Sequence, residues 1–185
     1  PQEVVDRLEA YSNTEVIIVD EEGSHESTMW RFTPCDENDV ECFISRDTDS
    51  RLSFREKLAV EEWLKSDKDF HIMRDHPYHN TAIMAGMWGM KNTGMKMGKL
   101  IENYLSLNSF DNKKGIDQNF LSTCVWDVAK NNNVTHDPFF EQKPFPQKRG
   151  DRNDLVYFVG ECVREDDTVW SEDDRDQISI LEVSK

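Results

Sequence analysis

The stretch that most constrains this chain lies between Val40 and Glu56. An apolar run over 40–45 ends in Arg46-Asp47-Thr48-Asp49-Ser50-Arg51, and Ser53 followed three residues later by Glu56 forms a capping box. A buried strand, a charged turn and a helix start therefore follow one another directly. Where a strand ends and its backbone turns away, a sheet is open to ligand. The two aspartates are expected at such an end.

The remaining periodicities alternate between strand and helix. Val4, Val5, Leu8 and Tyr11 have helical spacing, and 15–20 is a short β-branched run that reads as a strand. These look like the second half of a βαβ unit whose first strand is absent from a chain that begins at Pro1. After Ser53, Ala59, Val60, Trp63 and Leu64 share a helix face, and 70–74 reads as a strand. Gly86 and Gly89 around Trp88 predict a turn where backbone passes close to a ligand or another strand. Met95, Leu100, Ile101, Tyr104 and Leu105 suit an amphipathic helix, followed by a polar break over 108–115. A second helix opens at Asp117-Gln118-Asn119, 134–137 is extended, and 144–152 is a proline-bearing loop. Strands are expected at 155–160 and 178–183. The pattern predicts one α/β domain over 1–185 with a largely parallel sheet.

The formal charge of -15 argues against a nucleic-acid partner and against an anionic membrane surface. Its distribution is uneven: 91–150 carries 9 basic against 6 acidic residues and is the only net-positive third. An anionic small molecule is expected there or at Arg46 and Arg51, beside the aspartates; the alternative is a solvated lysine-bearing surface. Cys35, Cys42, Cys124 and Cys162 make no C-x-x-C pair, so they read as reduced residues of a cytoplasmic protein. No apolar run approaches the ~20 residues that span a bilayer.

Two carboxylates spaced as in Asp47-Thr48-Asp49 suit Mg2+ or Mn2+ bridging two phosphates. The alternative is an acidic turn with Arg46 and Arg51 as surface partners. A calcium loop starting at Asp47 fails, because the required Gly and Glu positions fall on Leu52 and Leu58. A phosphatase of the haloacid dehalogenase type also places D-x-D after a strand, with the first Asp as nucleophile, and would recruit Asp173, Asp174 or Asp176. In a second group, His71, Arg74, Asp75, His76 and His79, the spacing invites zinc, but no thiolates or second ligand pair lie nearby. Arg74 and Asp75 are expected to line a ligand pocket, with His76 counted among its binding residues and the histidines orienting the loop. Asp117 is a candidate general base and Gln118 a hydrogen-bond partner of substrate, although a carboxylate at a helix start is favoured by the dipole alone. His136 is a candidate third metal ligand, since Mn2+ tolerates imidazole.

Trp30-Arg31-Phe32, the 45–51 motif, Arg55-Glu56, Ala59-Val60 and Trp63-Leu64 together resemble a family of GT-A-type glycosyltransferases. So do 70–77, Gly86-Met87-Trp88-Gly89 and Asp117-Gln118. The family includes the capsid-glycosylating enzymes of large algal DNA viruses. The resemblance, over roughly 28–140, implies a Rossmann-like nucleotide-diphospho-sugar transferase fold with a mixed, mostly parallel sheet flanked by helices. It implies a hexosyltransferase-like activity using a UDP-, GDP- or dTDP-sugar, Mn2+ or Mg2+, and a glycan or glycoprotein acceptor. Asp47 and Asp49 correspond to the family's D-x-D motif, and Arg74, Asp75, Gly86 and Trp88 fall in segments that look like its donor pocket. The departure is at the start of the chain, where a first nucleotide-binding strand is expected and is not found. A non-catalytic glycan-binding or assembly module is the remaining alternative.

Overall fold

The computed structural model describes residues 2–20, 23–107, 114–150 and 154–183. Its centre is a four-stranded sheet of order β1-β3-β2-β4, made of β1 Cys42–Arg46, β2 Phe70–Met73, β3 Met87–Lys91 and β4 Asn133–His136. β3 is antiparallel to both β1 and β2, and β2 is parallel to β4. Thus β1, β2 and β4 run the same way, with one reversed strand between them. The largely parallel sheet expected from sequence is corrected to a mixed sheet with one parallel pairing. The reason is connectivity: β1 reaches β2 through α2 (Phe54–Lys65), whereas no helix separates β2 from β3, so the chain has no crossover and must return antiparallel.

Helices cover both faces. On one side lie a 3-10 helix (Glu26–Asp36), α3 (Met97–Leu107) and the run α4 (Ile116–Phe120), a π turn (Leu121–Val125) and α5 (Trp126–Ala129). Phe32, Phe43, Phe70, Ile72, Trp88, Phe120 and Leu121 form the core there. The Asp36 carboxylate accepts from the Met97 and Gly98 amides, each at 2.7 Å, and so caps the start of α3 while fixing the 3-10 helix against it. On the other side, Ala59 of α2 packs with Met73, Met87, Phe145 and Val159. Every residue of β2 is buried, as expected of a strand covered on both faces.

Ser53 caps α2 by accepting from the Glu56 amide at 3.1 Å, as the capping box predicts. The reciprocal half is not made, because the Glu56 carboxylate turns to Arg46. Gly89 lies inside β3 rather than in a turn, but the predicted close approach is real. A Cβ there would lie 2.9 Å from the Phe43 carbonyl and 3.2 Å from the Trp63 ring, so a larger residue would lift α2 off the sheet.

Three expected strands do not form. Residues 15–20 have no ladder partner, and Ile17 and Ile18 are exposed, since β-propensity without a neighbouring strand is not enough. The 155–160 run is irregular, with Val156, Phe158 and Val159 buried and the Val159 amide donated to Asp75 instead of a ladder. The 178–183 run belongs to α6 (Glu172–Val183), whose first turn holds Glu172, Asp173 and Asp174, where the helix dipole favours carboxylates. The first helix, α1 (Gln2–Glu9), forms but buries no residue. The expected polar break at 108–115 and the end of the 144–152 loop lie partly outside the described residues. All four cysteines are free, and no described helix is long and apolar enough to cross a membrane.

Candidate functional site

Because β1, β2 and β4 share a direction, their carboxyl ends emerge on one side of the sheet, where β3 begins. Asp47, the Arg74-Asp75-His76 segment, Gly86 and Asp137 are thereby brought to a single edge, the edge at which open α/β sheets bind ligands.

The Asp47 carboxylate lies directly on the backbone of Gly86. A Cβ at Gly86 would be 2.0 Å from Asp47 Oδ2, so only glycine leaves room for the acid. Gly86 is itself held in place. Gln118 accepts from the Ala85 amide at 3.1 Å and donates to the Ile83 carbonyl, while the Ser45 hydroxyl donates to the Ala85 carbonyl at 2.7 Å. The side-chain amide of Gln118, expected from sequence to contact substrate, is committed to this clamp. On its outer side Asp47, half-exposed, pairs with Arg31.

A cleft of about 600 Å3 opens over this turn, lined by Arg31, Arg46, Asp47, Thr48, Asp49 and Lys114. Arg31, Arg46 and Lys114 share this lining with the two aspartates, so cations and carboxylates alternate around the cleft. Arg46 is anchored by Glu56 and by its own bond to the Ser45 carbonyl; burial pulls its pKa down, and Glu56 opposes that. Arg31 and Lys114 went unassigned in the sequence because they lie far along the chain from the motif. The net-positive segment that supplies Lys114 was the available signal.

The 162–170 segment is fastened to the aspartate turn. The Val163 amide donates to the Asp49 carbonyl at 2.7 Å, and Ser50 and Cys162 form an antiparallel bridge. The Cys162 thiol is pushed up to about 11 by burial first and then by the Asp49 carboxylate it bonds, so it is a protonated donor at neutral pH. Arg51, expected beside a diphosphate, instead pairs with Asp167 at 2.8 Å and donates to the Arg164 carbonyl at 3.4 Å. It holds this segment onto the turn.

Several other expected site residues are structural. Trp88 is fully buried in the core, 5.5 Å from the Phe32 ring and 5.3 Å from Phe43. Arg74 forms an ion pair with Asp137 at 2.7 Å, also meets Glu141, and donates to the Thr81 and Ala82 carbonyls, each at 3.2 Å. Asp75 is fully buried and takes both Nε and Nη2 of Arg55, at 2.8 and 2.9 Å, together with Arg149 and the Val159 amide. His76 bonds the Asp174 carbonyl at 2.9 Å and accepts from the Tyr78 amide at 3.0 Å, tying this loop to α6. These groups build the edge of the sheet and do not line the Asp47 cleft. A second cavity of about 390 Å3 borders Arg55 and Arg149, and the Arg55 fork there is turned onto Asp75.

His136 is not brought to the aspartates. It sits on β4, the opposite edge of the sheet from β1 and three strand spacings away, roughly 14 Å. Its Nδ1 is 2.9 Å from His71 Nε2, and its Nε2 is 3.7 Å from Glu62. Burial lowers both imidazoles, His71 well below its ordinary value, and holds them neutral. Asp117 accepts from the Gln118 amide at 2.8 Å and is not among the residues lining the cleft. Its position is that of an acid in the first turn of α4.

Mg2+ and Mn2+ are commonly held by one or two carboxylates, with substrate phosphate and water completing the shell. Asp47 and Asp49 match that donor set. Among the described residues no group of three or more His, Cys, Asp or Glu offers a metal site made by protein alone. The donor type of Asp47 and Asp49 suits an ion whose shell phosphate and water would complete. Comparison with protein-family models, curated proteins and solved structures returned no match.

Proposed function

We propose that the chain is a metal-dependent glycosyltransferase that uses a nucleotide-sugar donor and a glycan or glycoprotein acceptor. The observation that carries the reading is the pairing of Asp47 and Asp49 with Arg31, Arg46 and Lys114 around one cleft at the carboxyl end of β1. A diphosphate needs both halves of that arrangement, carboxylates to hold a divalent cation and fixed cations to meet the remaining phosphate charge. Bound there, Mg2+ or Mn2+ would neutralise charge developing on the departing diphosphate. Arg31 orients the Asp47 carboxylate, Gly86 gives it space, and Lys114 and Arg46 face the phosphates. The sequence resemblance supplies the sugar; the cleft supports the diphosphate and metal part of the reading. The phosphatase alternative predicts instead hydrolysis of a simple phosphate ester with Mg2+ and no use of a sugar nucleotide.

The test is release of nucleoside diphosphate from UDP-, GDP- and dTDP-sugars with Mn2+, for the unmodified chain and for Asp47→Asn and Asp49→Asn. The expected outcome is turnover of at least one donor, lost in both variants with thermal unfolding unchanged. Equal turnover in both variants would overturn the assignment.

A further inference from the structure

Residues 162–170 form a tight hairpin. Val163 and Val169 bridge antiparallel, the Arg164 amide donates to the Thr168 carbonyl at 2.8 Å, and the Trp170 amide donates to the Cys162 carbonyl at 3.0 Å. The hairpin is fastened to the aspartate turn by the Val163–Asp49 bond, the Ser50–Cys162 bridge and the Arg51–Asp167 ion pair. Trp170 lies opposite Cys162, which lies opposite Ser50. Two strand spacings, roughly 10 Å, therefore separate its backbone from that turn. Its indole is 66% exposed.

A single exposed apolar residue is ordinary on a protein surface. Trp170 differs in how it is held. The Arg164 guanidinium lies 5.5 Å from the ring centroid, and its two terminal nitrogens donate to the Val169 and Trp170 carbonyls. A large ring is thus held two strand spacings from the aspartate turn, with Arg164 against it and most of its surface open. A preorganised aromatic face loses little freedom on binding. An aromatic face suits the flat, C–H-bearing side of a pyranose, while nearby carboxylates accept from its hydroxyls. The charge around it sets the ligand class. Residues 161–176 hold eight acidic and two basic side chains, which repel an anionic ligand.

We propose that Trp170 is a stacking platform for a neutral sugar ring of the acceptor, at a distance from Asp47 and Asp49 that a short oligosaccharide spans. The proposal rests on the glycosyltransferase reading, and its test separates the two. The full chain is examined by saturation-transfer NMR with mannotriose, cellotriose and 3′-sialyllactose, alongside Mn2+-dependent binding of UDP, GDP and dTDP. At least one neutral trisaccharide is expected to receive saturation, with affinity about tenfold weaker in Trp170→Ala and partly restored in Trp170→Phe. The sialylated sugar is expected to receive none, and nucleoside diphosphate binding and thermal unfolding to be the same in both variants. Unchanged trisaccharide binding in Trp170→Ala, equal binding of the sialylated sugar, or no binding of either neutral sugar would overturn the proposal. Failure of the glycosyltransferase reading shows separately, as absence of Mn2+-dependent nucleoside diphosphate binding in the unmodified chain.

Discussion

Replacing Gly86 with alanine places a methyl carbon 2.0, 2.4 and 2.8 Å from Oδ2, Cγ and Oδ1 of Asp47. All three contacts belong to one half-exposed carboxylate, so the side chain of Asp47 moves and the sheet does not. Gly86 is not among the positive-φ glycines, so alanine adopts its backbone without strain. The smaller entropy of the unfolded alanine chain contributes about 0.4–1 kcal/mol in favour of folding. Loss of the exposed Arg31–Asp47 pair costs about 0–1 kcal/mol. These offset, and the melting temperature is expected to change by no more than about 4 °C. Function is affected differently. A carboxylate displaced by about 1 Å no longer meets the ion, and losing one charged contact costs about 1.5–3 kcal/mol, or roughly 10- to 100-fold in affinity. Isothermal calorimetry of nucleoside diphosphate binding with Mn2+, beside scanning calorimetry of the free protein, reads both quantities. Undiminished Mn2+-dependent affinity, or a melting temperature lowered by ten degrees or more, would refute the reasoning that Gly86 is there for Asp47.

Two further outcomes follow from the buried groups. Asp75→Asn removes the carboxylate shared by Arg55 and Arg149, and breaking a buried pair costs about 3–5 kcal/mol; scanning calorimetry should show a melting temperature lower by on the order of 10 °C. A loss of turnover at unchanged melting temperature would instead mark Asp75 as a ligand contact. His71, His136 and His79 are all held below the ordinary imidazole value by burial, His79 at about 4. Their unfolded forms take up protons near pH ~6.5 while the folded ones do not, so stability is full above that pH and falls as pH drops from there toward 4. Urea midpoints should fall between pH 7.5 and 5.0, with a shallower slope in His79→Gln; equal slopes would contradict this.

How much of this was legible in the sequence depends on how local each signal was. The strand, turn and cap around Asp47 were readable because apolar run, paired acids and Ser53 lie within a few residues of one another. The direction of β3 was not, since it depends on the absence of a helix between Met73 and Met87. The 15–20 and 178–183 runs misled for a shared reason: β-branched residues make a strand only beside another strand, and here one run has none and the other continues a helix. Trp88 and Asp75, expected at a donor pocket, are fully buried in the core and in an ion pair with Arg55, because constraint from packing and constraint from ligand binding look alike in a sequence. His136 was misplaced because distance across a sheet is set by strand order, which no spacing reveals. Arg31 and Lys114 reach the cleft from two segments distant from the motif, and Cys162 bonds Asp49 from a third.

The proposed function requires Asp47 and Asp49 to bind a nucleoside diphosphate through a divalent cation. Calorimetric titration of the chain with UDP, GDP and dTDP, each with Mn2+ and with chelator, tests it most directly. The account predicts that at least one binds with Mn2+ and not with chelator, and that Asp47→Asn and Asp49→Asn each abolish the heat. Binding by none of the three, or binding equally strong in chelator, would contradict it.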